Sequence, residues 1–206
     1  MALHMGGDGV MEAEFYWYSW VIVIILFFFT QKASIRNPLL LLCSLLMITY
    51  NITPYFSEHF MYIHTFTIAI FGIYYWIRNK KRFLLHVWPF VLSIGYTSIQ
   101  LFFLVNPVWL EFPGLSLLVF LLLYIFHKFS DSVESLIGMW FLVNACGTLW
   151  SYSVFSLFSL EGLIEMNVIL LFVIQGLLWI LILNGVDHLK AKVQKQKSRK
   201  KGAAWV

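Results

Sequence analysis

Apolar residues along this chain fall into seven long runs, and charged residues lie in the gaps between them or, as with Lys128 and Glu165, within three residues of a run's end. The runs cover 15–29, 38–56, 60–77, 83–105, 114–129, 135–158 and 163–185. They are continuous, not alternating. A membrane barrel needs segments of about 10 residues that alternate in and out, whereas continuous apolar runs of about 20 residues suit helices that cross a bilayer. Lipid cannot hydrogen-bond the backbone, so each crossing segment must satisfy its own amides, as a helix does. The pattern predicts an all-α fold: a polytopic membrane helical bundle of seven transmembrane helices over 15–185. Residues 1–14 are expected to be a disordered extracellular N-terminus, with 1–10 preceding a candidate start at Met11, and 186–206 a basic cytoplasmic tail.

Prolines and aromatics refine the runs. Pro38 suits a first helical turn, where a missing N–H costs nothing. Pro54 is expected to bend or stop the second helix, Pro89 to kink the fourth, and Asn106-Pro107 to end it. Phe15, Tyr16, Trp17, Tyr18 and Trp20 form an aromatic girdle of the kind found at headgroup level.

Charge fixes the expected sidedness. Arg78-Asn79-Lys80-Lys81-Arg82 sets four cations between two apolar runs and marks a cytoplasmic face. Threaded from there, with the N-terminus outside and the C-terminus cytoplasmic, all 14 Lys and Arg fall inside. Glu58, Glu111, Glu161 and Glu165 fall outside with Asp8, Glu12 and Glu14, while Asp131, Glu134 and Asp187 fall inside. A six-span or inverted threading breaks this distribution. The basic block and the tail, through Arg78, Lys80, Lys81, Arg82, Lys190, Lys192 and Lys195, are expected to contact anionic lipid, and no nucleic-acid partner is expected.

Composition agrees with this reading. The 206 residues are 61% hydrophobic and 12% charged, against about 45–50% and about 25% in soluble domains. No Lys, Arg, Asp or Glu lies near the middle of a run. Proton pumps, ion-coupled carriers and voltage sensors usually need such groups, and a retinal protein needs a lysine on its seventh helix. No G-x-S-x-G or H-E-x-x-H motif is present. Cys43 and Cys146 sit in apolar runs without metal spacing, and the histidines read as surface or interface residues. Neither a cofactor nor a metal site is expected, and no enzymatic activity.

Neutral polar residues are patterned. Ser93, Tyr96, Thr97 and Gln100 recur at i, i+3, i+4 and i+7, one face of the fourth helix. Asn144, Thr148, Ser151 and Tyr152 do the same on the sixth, and Gln175 lies midway along the seventh. Two readings follow: hydrogen-bonding glue between helices, or a pocket between helices 4, 6 and 7 lined by Tyr96, Gln100, Asn144, Thr148, Ser151 and Gln175. The first gives a scaffold or envelope accessory. The second gives a small-molecule carrier or binding protein.

The opening Met11-Glu12-Ala13-Glu14-Phe15-Tyr16-Trp17-Tyr18-Ser19-Trp20, the close-packed spans and the basic tail resemble the YphA-like integral membrane proteins of Bacillus-type bacteria. The resemblance implies a multi-pass protein of the bacterial plasma membrane and carries over no catalytic residue.

Overall fold

The computed structural model describes residues 5–52, 61–78, 86–106, 108, 115–158 and 166–203. Among these the chain forms seven α-helices: α1 (Met5–Phe29), α2 (Ala33–Ile52), α3 (Met61–Ile77), α4 (Trp88–Val105), α5 (Leu115–Phe129), α6 (Val133–Leu157) and α7 (Met166–Ala203). Three helical stretches are long and apolar enough to cross a membrane, Ala33–Asn51, Val133–Leu157 and Asn167–Asp187; Ala13–Phe29, Tyr62–Ile77 and Leu117–Phe129 are apolar but shorter.

Four details depart from the sequence expectation. Residues 5–14, expected as disordered, continue α1 upstream of the apolar run. Gly6, Gly7 and Gly9 are weak helix formers, but extending an existing helix avoids the cost of nucleation. Likewise, α7 runs unbroken through the basic tail to Ala203. Pro89 starts α4 within its first two positions and does not kink it, because amides there have no intrahelical acceptor to lose. Pro38 lies inside α2, beyond its first turn. Pro54 lies outside the described residues.

Helix α6 is the centre. It packs on α3, α4, α5 and α7, while α1 packs on α7 and α2, and α2 on α3. Its start is set locally: the Ser132 hydroxyl accepts from the Ser135 amide at 3.2 Å, a cap that satisfies one orphan N–H. Glu134 follows in the first turn, where the helix dipole favours an anion. Of the three long spans α6 has the lowest mean hydropathy, 1.2, yet 72% of its window is buried, against 33% for the α2 window at 1.4. In lipid the most apolar face can be left outward. The interior instead selects residues that let helices meet closely.

Glycine makes that approach possible. A Cβ on Gly138 would stand 2.7 Å from the Trp76 amide nitrogen, and one on Gly72 would stand 3.0 Å from that of Leu142. The α3 and α6 backbones therefore nearly touch. Gly147 lies nine positions beyond Gly138, half a turn round the helix at about 100° per residue. It faces α4, where the Tyr96 ring occupies the space a Cβ would need. Gly176 of α7 makes the same room for the Trp140 indole.

Gly138→Ala should lower the thermal stability of the detergent-solubilised protein by about 1–3 kcal/mol, the usual cost of overpacking. Gly95→Ala is the matched control. Its Cβ would meet nothing within 4 Å, so the change should be neutral or stabilising by up to about 1 kcal/mol. Equal thermal midpoints for the two variants would contradict close packing of α3 on α6.

Candidate functional site

Most of the patterned polar residues lie along the seam between α4 and α6, whereas Tyr152 packs its ring on Tyr62 of α3, centroids 5.3 Å apart. Each first uses its own helix: the Ser93 hydroxyl donates to Phe90 O at 2.7 Å, Thr97 to Ser93 O at 3.0 Å, and Thr148 to Asn144 O at 2.8 Å. Two bonds then cross the seam. Thr97 Oγ1 shares its one proton between Ser93 O and Gly147 O, the latter at 3.1 Å, and the Ser151 hydroxyl donates to Gln100 Oε1. The first is allowed by the glycine, since backbone without a Cβ can come within reach of a neighbouring hydroxyl. Tyr96 is buried against Gly147 and lies near Phe172 of α7, with ring centroids 5.8 Å apart.

A second junction joins α6 to α7. The Trp140 indole donates to Val173 O at 3.0 Å, packs at 5.3 Å on Phe172, and fills the notch at Gly176. One turn along α6, Asn144 donates to Trp140 O at 2.7 Å. Its Oδ1 is buried without a hydrogen-bond partner among the described residues, an arrangement that costs about 1–3 kcal/mol when nothing compensates. Gln175 is half-buried on α7 and joins none of these bonds. Of the six residues expected to line a pocket, the structure thus bonds Gln100 to Ser151, seats Tyr96 on Gly147 beside them, and strings Asn144 and Thr148 along α6. Gln175 stands apart, about 100° round α7 from the Gly176 notch.

The basic block forms a third junction. Arg78 ends α3, and its Nη1 donates to Ser34 O at 3.2 Å and to the Tyr74 hydroxyl at 3.0 Å. Its Nε lies 3.8 Å from Glu134, whose other oxygen accepts from the Ser34 hydroxyl at 3.2 Å. Sequence explains the target. Residue 38 is the one that would ordinarily donate to Ser34 O, and proline has no N–H. Arg78 supplies the missing donor. Next to it, the buried Tyr75 hydroxyl donates to Ile35 O at 2.8 Å. The start of α2, the end of α3 and the start of α6 are therefore clasped together at one end of the bundle.

The other expected contacts are spread out. Lys80, Lys81 and Arg82 lie outside the described residues, as do Glu58, Glu111, Glu161 and Glu165, the acids expected between the spans on the outer side. Lys190 is exposed on α7; Lys192 and Lys195 are on the same helix, with side chains outside the described set. His64, expected near a surface, is buried on α3, while His86 and His127 are exposed. Among the described residues no three His, Cys, Asp or Glu side chains gather to hold a metal.

Sequence reading missed the four interface glycines and the pairing of Arg78 with the gap left by Pro38. The glycines carried a usable signal, because Gly138 and Gly147 stand on opposite faces of an aromatic-rich span. The Arg78 pairing carried none, because it joins positions 44 residues apart.

Restoring an N–H at position 38 should make Arg78 partly redundant. In a double-mutant cycle, the stability lost in Arg78→Met should shrink by about 0.5–1 kcal/mol when Pro38→Ala is also present. Additive losses would mean that Arg78 does not serve the proline gap.

No match was found among curated proteins or solved structures. Over residues 12–205, nearly its whole length, the chain matches the model of the YphA-like integral membrane proteins, and it belongs to that family.

Proposed function

We propose that the protein is a non-enzymatic, seven-span scaffold of the bacterial plasma membrane that works by helix packing with a partner or as an envelope accessory. The observation that carries this reading is the seam itself. Its polar groups are directed at one another and at helix backbones, above all in the Ser151–Gln100 and Thr97–Gly147 bonds. Such bonds average about 0.6 kcal/mol and hold helices in register.

The threading proposed is N-terminus outside and C-terminus cytoplasmic. The confinement of all 14 cations to one side supports it. So does the clasp of Ser34, Arg78 and Glu134, which gathers three helix ends expected on the cytoplasmic face. A fluorescent-protein fusion at the C-terminal end should fluoresce, and an alkaline phosphatase fusion there should be inactive. The reverse pair of results would invert the threading.

One observation favours a carrier or binding protein for a neutral small molecule: the unpartnered Oδ1 of Asn144, buried between α6 and its neighbours. A deletion strain separates the two readings. Under the scaffold reading, Gln100→Leu and Asn144→Leu, at wild-type expression and thermal stability, complement whatever the deletion changes. Loss of a defined small-molecule flux, restored by the wild type but not by these variants, would establish the carrier instead.

A further inference from the structure

We infer that residues 186–203 are an amphipathic arm that bends at Gly185 and docks on the surface of an anionic bilayer. Helix α7 has 38 residues and is about 57 Å long at 1.5 Å per residue. The hydrocarbon core is about 30 Å thick, and the stretch of α7 apolar enough to cross it is Asn167–Asp187. The rest of the helix therefore lies outside the bilayer.

That outer part has an apolar stripe with none of the described residues over it. Val186, Leu189 and Val193 recur at i, i+3 and i+7, which is one face, and they are 40%, 63% and 50% exposed. Lys190 lies beside them on the same open surface. Held straight out from the membrane, the helix leaves this stripe in water. Laid along the interface, it buries it.

Charge identifies the surface. Residues 190–201 hold seven cations, and no acid follows Asp187. By helical register Lys190, Lys197 and Lys201 fall to one side of the stripe and Lys192 and Arg199 to the other, while Lys195 lies on the opposite face and Lys200 continues the line of the stripe beyond its apolar part. An apolar stripe flanked by cations is the pattern of a helix lying in the headgroup plane, with lysine stems over the acyl boundary and charges among anionic headgroups.

Gly185 provides the joint. Gly72, Gly138, Gly147 and Gly176 each make room for a neighbour, whereas a Cβ on Gly185 would meet nothing within 4 Å. Packing does not require glycine there. Glycine does weaken a helix interior, and this one stands where α7 leaves the membrane.

The test uses the full chain carrying Cys43→Ser, Cys146→Ser and Val193→Cys, with a polarity-sensitive fluorophore on the new thiol. The protein is reconstituted into phosphatidylcholine vesicles with or without phosphatidylglycerol, so the result is independent of the orientation of the bundle. With anionic lipid the emission should shift to the blue and become sensitive to quenchers attached to the acyl chains. Salt at 1 M, where the Debye length falls to about 3 Å, should reverse the shift. Each Lys→Gln change in 190–201 should reduce the ratio of docked to free arm about fivefold, and Gly185→Ala should also reduce it. An unchanged thermal midpoint shows that the bundle is intact in each variant. A label equally open to water in both lipids would overturn the inference and leave a projecting basic rod suited to an acidic protein. Equal burial in both lipids would overturn the role of charge.

Discussion

Close approach of helix backbones around α6 is the constraint on which the rest of the bundle depends. In lipid there is no hydrophobic drive to bring one apolar helix against another, because acyl chains are as apolar as leucine. Dispersion contacts must do it, and they fall off steeply when surfaces do not fit. Glycine at 72 and 138 lets α3 meet α6 backbone to backbone, while glycine at 147 and 176 makes notches for Tyr96 and Trp140. Each partner is a rigid aromatic or a backbone, so the fit fixes both rotation and register.

The polar residues act within that frame. A bond such as Trp140 to Val173 O or Thr97 to Gly147 O adds little energy by itself. It does penalise any slide of one helix past another that would leave a buried donor unmatched. The clasp at the basic end follows the same logic. Pro38 frees a carbonyl, Arg78 takes it, and Glu134 holds both Arg78 and Ser34. A cation that hydropathy alone assigns to lipid contact is thereby also a tie between three helices.

The helices themselves were legible in the sequence because the apolar runs are continuous and are set apart by charged, proline and glycine residues. The ends of α3, α5 and α6 lie within two residues of those expected. The two polar faces were legible too, since side chains three and four apart must share a side. What they bond to was not: pairing Gln100 with Ser151 requires knowing that α4 and α6 are neighbours. Burial was the least legible quantity. Hydropathy ranks α6 below α2, yet α6 is the core, because in a bilayer apolar character marks contact with lipid as readily as contact with protein. Pro89 and Pro38 were misplaced for a related reason. A proline's effect depends on where the helix starts, and the starts of α2 and α4 each lie five residues, more than a turn, from those expected.

The most direct measurement is oxidative cross-linking of Gln100→Cys with Ser151→Cys in the membrane, with Cys43 and Cys146 replaced by serine. If the seam is closed and its polar groups face one another, the two thiols should couple on mild oxidation. Before oxidation, neither should react with a small water-soluble thiol reagent. Ile94→Cys, on the exposed side of α4, should not couple to Ser151→Cys. Failure of the first pair to couple, together with reaction of either thiol with the water-soluble reagent, would show an open polar cavity between α4 and α6 and contradict the packed seam.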